Sequence, residues 1–275
     1  MIKFHKAGCD FMNLISISQH LHTEFVGRDV EYYESISSTN NRAKEIAEQK
    51  LEGTVIIAEE QTQGKGRLSR KWVSPKGKGL WFSIILKPNL EPDKVYKITL
   101  IGAAAVNEAL KELGIESKIK WPNDIVIDGK KVCGMLTEMS CEGDAANYVV
   151  VGIGINANLD KHDFDLELQG KATSLKIVSG KEIDRNRLLA SVLNHFEKLY
   201  IPFKEREDLT ETINISRKES ALIGKEVRII DGNTEKVGKV FDIDDKGQLI
   251  VQYEDGKMEE IFSGEVSIRG MDGYI

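Results

Sequence analysis

The sequence predicts a layered domain of helices and strands, of the α/β or α+β class, followed by a small all-β domain. From Glu31 onward, strand-like runs alternate with helical patterns. Four consecutive strand-like runs then favour an antiparallel meander and hence the α+β class, with a mixed or antiparallel sheet flanked by helices. Beyond Ala221 the runs are short and separated by turn signals, as in a small β-barrel. The expected parts are an N-terminal extension (1–30), a main domain (31–220) and a terminal β-barrel (221–275).

The main domain is predicted to hold four helices. Thr39 or Asn40 can cap the first, Gly114 ends the second, Asp184 caps the third, and the fourth lies near residues 204–220. Apolar residues at helical spacing define the faces that should point inward. These positions are Ala43, Ile46, Ala47 and Leu51 in the first helix, Ile98, Ile101, Ala105, Ala109 and Leu113 in the second, and Leu188, Leu189, Val192, Leu193, Phe196 and Leu199 in the third.

Six strands are predicted in the same domain. The Asp128-Gly129 pair is a common tight-hairpin signal and should join two of them. The predicted strands span residues 54–58, 80–86, 115–119, 124–127, 131–139 and 148–157. In the terminal domain, turn signals lie at residues 231–232, 245–247 and 255–256.

Composition and charge exclude several classes of protein. A net charge of −6 argues against a surface built as a whole for nucleic acid, because duplex binding depends on Lys and Arg set against phosphates. The longest apolar run, residues 148–155, is far shorter than the ~20 residues that span a bilayer. Three cysteines without C-x-x-C spacing indicate neither a disulfide framework nor a zinc site. We therefore expect a cytoplasmic protein that has no membrane segment and binds no specific DNA.

A glycine-rich basic stretch is the most informative segment of the sequence. Six cations lie between Lys65 and Lys78 with no acidic residue among them. Gly64 and Gly66 allow the backbone N–H groups to approach an anion, while the cations supply charge and forked donors. Taken alone, the stretch is more often a solvated basic loop.

A second segment, Lys120-Trp121-Pro122-Asn123-Asp124, lies between two predicted strands. A buried lysine at this place suits a carboxylate or phosphate, and the Asn-Asp pair offers oxygen ligands for Mg²⁺ or a ribose. Taken alone, the lysine would more often be solvated and the tryptophan simply part of the core.

Together with Ser38-Thr39-Asn40 at the first helix cap, these segments resemble the biotin–protein ligase family. The matching pieces are Ser-Thr-Asn at 38–40, Ala-Glu-x-Gln-x-x-Gly-x-Gly-Arg-x-x-Arg-x-Trp at 58–72, Lys-Trp-Pro-Asn-Asp at 120–124, Gly-Met-Leu-x-Glu at 134–138 and Val-Gly-Ile-Gly-Ile-Asn at 151–156. With the terminal β domain, the resemblance covers residues 30–275. The chain departs from the family's Gly-Arg-Gly-Arg-x-Gly-Arg loop at two positions, where Lys65 and Ser69 replace an Arg and a Gly.

The resemblance implies a class II synthetase-like catalytic domain with an SH3-like barrel. It also implies a ligase that uses ATP and Mg²⁺ to convert biotin to biotinyl-5′-AMP and then modifies a lysine of a biotin carboxyl carrier protein. The implied catalytic residues are Lys120 and Arg67, and Asp124 is a weak candidate for a metal ligand. Implied biotin-binding residues are Ser38, Thr39, Asn40, Gln61, Gly64, Lys65, Gly66, Arg67, Lys120, Gly152 and Gly154. Implied ATP-binding residues are Lys65, Arg67, Arg70, Trp72, Lys120, Asn123 and Asn156.

Two alternatives stay open at this stage. A lipoate–protein ligase resembles this family in fold and in adenylation chemistry, although the Gly-Lys-Gly-Arg loop and the terminal β domain favour biotin. Some family members carry an N-terminal winged helix and repress transcription, and residues 1–30 leave room for one helix but not for that module. A homodimer is expected because many relatives pair through their sheets.

Overall fold

The computed structural model describes residues 11–143, 145–263, 266–271 and 274–275. Helices and strands alternate through residues 11–220, and the described residues beyond them form strands without helices. The helices are α1 (Leu14–His20), α2 (Thr39–Ile46), α3 (Tyr96–Glu112), α4 (Leu175–Ser179), α5 (Arg185–Arg206) and α6 (Thr210–Lys218).

A mixed seven-stranded sheet forms the centre of the main domain, in the order β1-β2-β3-β7-β6-β5-β4. Its strands are β1 (Val30–Tyr33), β2 (Val55–Ala58), β3 (Leu80–Leu86), β4 (Lys118–Lys120), β5 (Asp124–Ile127), β6 (Lys130–Glu142) and β7 (Ala145–Ile155). The β1–β2 pair is parallel, and the other pairs are antiparallel. The predicted α+β class is therefore confirmed.

The two faces of this sheet are covered by different helices. Ile57 and Val151 belong to the large core that α3 and α5 complete. On the other face, Ile56 and Val150 pack with Ala43 and other apolar residues of α2. Because side chains alternate along a strand, neighbouring residues of β2 and β7 serve opposite layers.

Residues 11–29 are built into the main domain through two buried carboxylates. Glu197 of α5 accepts hydrogen bonds from the backbone N–H groups of residues 24–26. Glu59 accepts one from the Met12 N–H at 2.6 Å and pairs with Arg185 at 2.7 Å. Both members of that ion pair are buried, so removing one partner would leave an uncompensated charge in the interior.

A second, antiparallel sheet of five strands follows, in the order β11-β10-β9-β8-β12. Its strands are β8 (Glu226–Asp231), β9 (Thr234–Ile243), β10 (Leu249–Gln252), β11 (Met258–Ile261) and β12 (Ser267–Gly270). It contacts the main domain through the Trp121 indole, which donates to the Gly247 carbonyl at 2.9 Å, and through the Tyr96 hydroxyl, which donates to the Lys246 carbonyl at 2.7 Å.

Three detailed predictions were wrong. Ser38 caps α2 by accepting from the Asn41 N–H, because its extended backbone places the hydroxyl there. Leu51 is 76% exposed, since α2 ends at Ile46 and Leu51 lies in the turn that leads into β2. The strand expected over residues 115–119 is shorter and later, because the chain turns after α3 before it joins β5.

No helix among the described residues is both long and apolar enough to cross a membrane.

Candidate active site

A cavity of about 730 Å³ is lined by residues of both sheets. It gathers nearly all of the residues that the sequence motifs single out. Those lining it are Ser38, Thr39, Asn40, Gln61, Lys65, Gly66, Arg67, Arg70, Trp72, Lys120, Asn123, Asp124, Gly152, Gly154 and Asn156. Gly64 is not among the lining residues that the structure describes; it is buried in the loop, where a Cβ would collide with the Trp72 carbonyl and the Ser74 hydroxyl.

One wall of the cavity is a network of neutral polar groups. The Gln61 amide oxygen accepts from the Thr39 N–H at 2.9 Å and from the Thr39 hydroxyl at 3.0 Å. The Asn40 amide donates to Glu138 at 2.8 Å, and its oxygen lies 2.6 Å from the Ser83 hydroxyl. The start of α2 and strands β3 and β6 therefore fix the orientation of every amide in this wall.

Two glycines of β7 make room for side chains of this wall. A Cβ at Gly152 would collide with the Asn40 amide, and a Cβ at Gly154 would collide with the Trp72 indole. Register places Gly152 between Ser83 of β3 and Leu136 of β6, at the centre of the sheet. The glycines therefore act by letting Asn40 and Trp72 lie close to the strand, rather than by giving clearance to a ligand alone.

The resemblance to biotin–protein ligases implies that this wall binds biotin; on that basis we expect Gly152→Ala to weaken biotin binding about 10- to 100-fold, because overpacking a tight site costs about 1–3 kcal/mol. The new methyl group displaces the Asn40 amide from its partners. Titration calorimetry with biotin measures the effect. Gly170→Ala is the control, since nothing lies within 4 Å of a Cβ there. Parent-like affinity in a folded Gly152→Ala protein would contradict this account of the wall.

The basic stretch folds as a tight loop over the opposite side of the cavity. The Gly66 N–H donates to the Arg70 carbonyl at 2.8 Å, and the Trp72 N–H donates to the Gly64 carbonyl at 2.9 Å. Leu68 at its tip has φ 55°, a left-handed conformation that is costly for a leucine. Lys65 and Arg70 are exposed on this loop, where an incoming anion would meet them first.

Arg67 ties this loop to both domains. Its guanidinium donates to the Asn123 amide oxygen at 3.1 Å and to the Val266 carbonyl at 3.0 Å. Burial lowers the pKa of Arg67, and the charge of Asp124 opposes that effect. Since an arginine stays charged in proteins, the site keeps a fixed cation here.

Lys120 is the second cation of the site and is only 3% exposed. Its ammonium lies 3.5 Å from the centre of the Tyr274 ring. Burial lowers the pKa of Lys120 to about 7, and Asp124 partly offsets this while Arg269 and Lys131 add to it. An anion bound beside the ammonium would therefore raise the pKa again.

Asp124 already has protein partners on both carboxylate oxygens. One oxygen pairs with the Lys131 ammonium at 2.5 Å, and the other accepts from the Tyr274 hydroxyl. Burial alone would raise the pKa of Asp124, but the charges of Lys131 and Lys120 outweigh it and hold the pKa below its ordinary value. Both oxygens of Asp124 are thus engaged by protein groups, and its role as a metal ligand stays a prediction.

Trp72 and Asn156 line the cavity between the loop and β7. The Trp72 and Trp81 rings meet edge to face at 6.4 Å, and Trp81 itself is fully buried in the core. The Asn156 amide donates to the Thr173 carbonyl at 3.0 Å. Stacking of Trp72 on an adenine ring stays a prediction.

Several residues of the site were missed by sequence reasoning. Ser83 orients the lining residue Asn40 by donating to its amide oxygen, and a lone hydroxyl in the apolar run of β3 was its only signal. Lys131 had no signal beyond following the hairpin turn, and Arg228, Arg269 and Tyr274 come from the second domain. Phe164 and Leu168 add apolar side chains to the lining, and they lie in a loop that no motif marks.

Comparisons with known proteins agree with these motifs and with the fold. Residues 32–156 match the Biotin/lipoate A/B protein ligase family, and residues 222–269 match the Biotin protein ligase C terminal domain. The chain is 40% identical over 254 residues to the bifunctional ligase/repressor BirA of Bacillus subtilis, which covers 90% of this chain and 76% of that protein. This chain belongs to the biotin protein ligase family. It is a ligase.

Further relatives support the assignment. A biotin–[acetyl-CoA-carboxylase] ligase of Mycobacterium tuberculosis is 29% identical over 222 residues, or 78% of this chain and 79% of that protein. The solved biotin protein ligase from Aquifex aeolicus in complex with biotin and ATP has a TM-score of 0.77 and 33% identity, and the match covers 88% of this chain and 99% of that chain.

Proposed function

We propose that this ligase activates biotin with ATP as biotinyl-5′-AMP and then transfers the biotinyl group to a specific lysine of a biotin carboxyl carrier protein. The observation that carries the proposal is a single cavity that combines a neutral hydrogen-bonding wall with a group of cations, among them the buried Lys120 and the half-buried Arg67. The wall suits the uncharged ureido end of biotin. The cations suit a carboxylate and a phosphate brought together.

Recognition of biotin would use the wall and the apolar floor. Asn40, Thr39 and Gln61 offer oriented amide and hydroxyl groups to the ureido ring. Phe82 and Ile153 line the cavity and are buried apolar residues, which suit the thioether ring and the aliphatic chain. Binding would then place the biotin carboxylate toward Lys120.

In the first step, a biotin carboxylate oxygen forms a bond to the α-phosphorus of ATP, and the bond to pyrophosphate breaks. Two anions repel each other on approach, so the main requirement is positive charge held in place before the reaction. Lys120 and Arg67 supply that charge, and Lys65 and Arg70 at the cavity mouth add to it. No side chain has to remove a proton in this step.

In the second step, the neutral amine of the acceptor lysine attacks the carbonyl carbon of biotinyl-5′-AMP. An amide bond forms, AMP leaves, and the amine loses a proton. Arg67, which already bridges the loop, Asn123 and the second domain, would keep the reactive anhydride from water until the acceptor arrives.

Mg²⁺ enters this scheme as part of the substrate MgATP. The one buried carboxylate that lines the cavity, among the described residues, is that of Asp124, and it is already paired. Magnesium keeps much of its coordination on phosphates and water in nucleotide sites, so this arrangement is compatible with it.

The rival substrate is lipoate, which has a carboxylate but no ureido group. A competition assay with biotin, lipoate, MgATP and this protein distinguishes the two by the mass of the adenylate formed. We expect biotinyl-5′-AMP even at a large excess of lipoate, because the amides of the wall would lose partners with lipoate. Preferential lipoyl-AMP would reject the biotin assignment.

The pH dependence follows from the state of Lys120. The free enzyme holds a charged Lys120 below its pKa of about 7 and a neutral one above it. Adenylation requires the charge, so kcat/KM is expected to fall as pH rises through that value. Bound anions raise the pKa of Lys120, so kcat, which reports on the enzyme–substrate complex, should fall at a higher pH than kcat/KM does.

The same linkage predicts proton uptake when biotin and a non-reacting ATP analogue bind at about pH 8. Calorimetry in two buffers of different ionisation enthalpy measures that uptake. A kcat/KM that does not change as pH rises through about 7, together with no proton uptake on binding, would exclude a Lys120 that titrates there.

Cytoplasmic location, homodimer formation and the lack of sequence-specific DNA binding stay predictions.

A further inference from the structure

Tyr274 reaches the active site from the second domain and contacts three of its charged groups. The centre of its ring lies 3.5 Å from the Lys120 ammonium and 5.2 Å from the Arg269 guanidinium. Its hydroxyl donates to Asp124. No sequence motif marked this residue, and the proposed chemistry does not use it.

The contact with Lys120 is unusual for a buried lysine. In the described part of the chain, the Lys120 ammonium has no carboxylate within ion-pair distance and no hydrogen-bond acceptor, so the Tyr274 ring face is its close partner. An aromatic ring carries negative potential on its face, which stabilises a desolvated cation that lies over it. The ring therefore keeps an ammonium in place without neutralising it.

A carboxylate in the same position would serve adenylation poorly. It would pair with Lys120 and compete with the biotin carboxylate and the α-phosphate for the same ammonium. A neutral ring attracts the cation but leaves its N–H groups available to an anion. The ring lies between the Lys120 and Arg269 cations, and the hydrogen bond from its hydroxyl to Asp124 adds to these contacts.

We infer that Tyr274 is a positioning residue for adenylation, whose ring holds the Lys120 ammonium toward the reacting anions. The inference rests on the proposed role of Lys120 in forming biotinyl-5′-AMP. The second domain thereby takes part in the first chemical step through a side chain that does not touch the reacting atoms. The charged groups around Lys120 in this arrangement are Asp124, Arg269, Lys131 and Arg70.

The test compares Tyr274→Leu, which removes the ring, with Tyr274→Phe, which keeps the ring and loses the hydroxyl. We expect Tyr274→Leu to slow single-turnover adenylation about 10-fold or more, with biotin affinity nearly unchanged. Tyr274→Phe should restore most of the rate. Equal losses in the two variants, or an unchanged rate in Tyr274→Leu, would overturn the role of the ring.

A double-mutant cycle separates positioning from a structural role. In a Lys120→Met background, Tyr274→Leu should cause no further loss of the residual adenylation rate, because its effect passes through the ammonium. The same fractional loss in both backgrounds would overturn the inference. The parent protein in the same assay tests the proposed function separately, because a parent that forms no biotinyl-5′-AMP contradicts that function and not the ring contact.

A measurement that does not depend on enzyme activity, the chemical labelling of Lys120, completes the test. Acylation by acetic anhydride requires a neutral amine, so the pH dependence of Lys120 labelling, followed by peptide mass spectrometry, reports its protonation. Loss of the ring should shift the labelling midpoint of Tyr274→Leu to lower pH, while Tyr274→Phe stays near the parent. An unshifted midpoint in Tyr274→Leu would contradict a ring that stabilises the ammonium.

Discussion

Lys120→Ala is expected to slow formation of biotinyl-5′-AMP by at least ~10²-fold, because its charge acts mainly on the transition state. Lys120 is buried in the cavity beside the Tyr274 ring, and water cannot easily replace its charge there. Biotin affinity should stay within about one order of magnitude, since the polar wall holds the ureido end. Single-turnover adenylation by rapid quench measures the first quantity, and titration calorimetry measures the second.

The matched control is Lys118→Ala, two residues earlier on the same strand. Lys118 is exposed and pairs with Glu219 at 2.8 Å, away from the cavity. The Lys118→Ala variant should therefore form biotinyl-5′-AMP at the parental rate. An unchanged rate in Lys120→Ala would remove Lys120 from the catalytic machinery, whereas equal losses in both variants would indicate damage to the strand.

Arg67→Gly is expected to loosen the loop and release biotinyl-5′-AMP before the acceptor lysine captures it. The guanidinium is the side chain that joins the loop to Asn123 and to the Val266 carbonyl, and glycine offers neither bond. The released anhydride should biotinylate lysines of an unrelated protein added to the reaction. Removing such a charged hydrogen-bonding group costs about 1.5–3 kcal/mol, so adenylate retention should fall about 10- to 100-fold.

Two controls sharpen this experiment. Arg67→Lys keeps the charge but loses the forked geometry, so its retention should lie between those of the parent and the glycine variant. Lys76→Ala removes a cation of the same stretch that pairs with Glu34 instead of lining the cavity. Bystander labelling is counted by mass spectrometry, with limited proteolysis of residues 64–71 with and without ligand. If Arg67→Gly retains the adenylate as long as the parent and ligand leaves the cleavage unchanged, the latch account is wrong.

Local sequence signals predicted the parts of the fold that neighbouring residues determine. The continuous apolar run of β3, the Asp128-Gly129 turn and the Asp184 cap each act within a few residues, and each is found where it was predicted. Leu51 shows the limit of such reasoning. Its spacing fits the face of α2, but the helix ends before it because the chain must enter β2.

The candidate site was predicted as far as its motifs extend. Lys120 and Arg67 follow from motifs with distinctive residue types, and both line the cavity. Tyr274 could not be predicted, because its contact with Lys120 joins positions more than 150 residues apart and depends on how two domains dock. Gly152 was singled out, but its partner Asn40 emerges only from the packing of α2 on β7.

The mass of the ligand retained by this protein after incubation with biotin, ATP and Mg²⁺ tests the central claim most directly. Native mass spectrometry of the complex, with an extract of the denatured protein measured in parallel, identifies the ligand. The account predicts biotinyl-5′-AMP with the parent protein and little or none with Lys120→Ala, although both bind biotin. A complex that holds only unreacted biotin or ATP, or the adenylate of another acid when biotin is present, would contradict it.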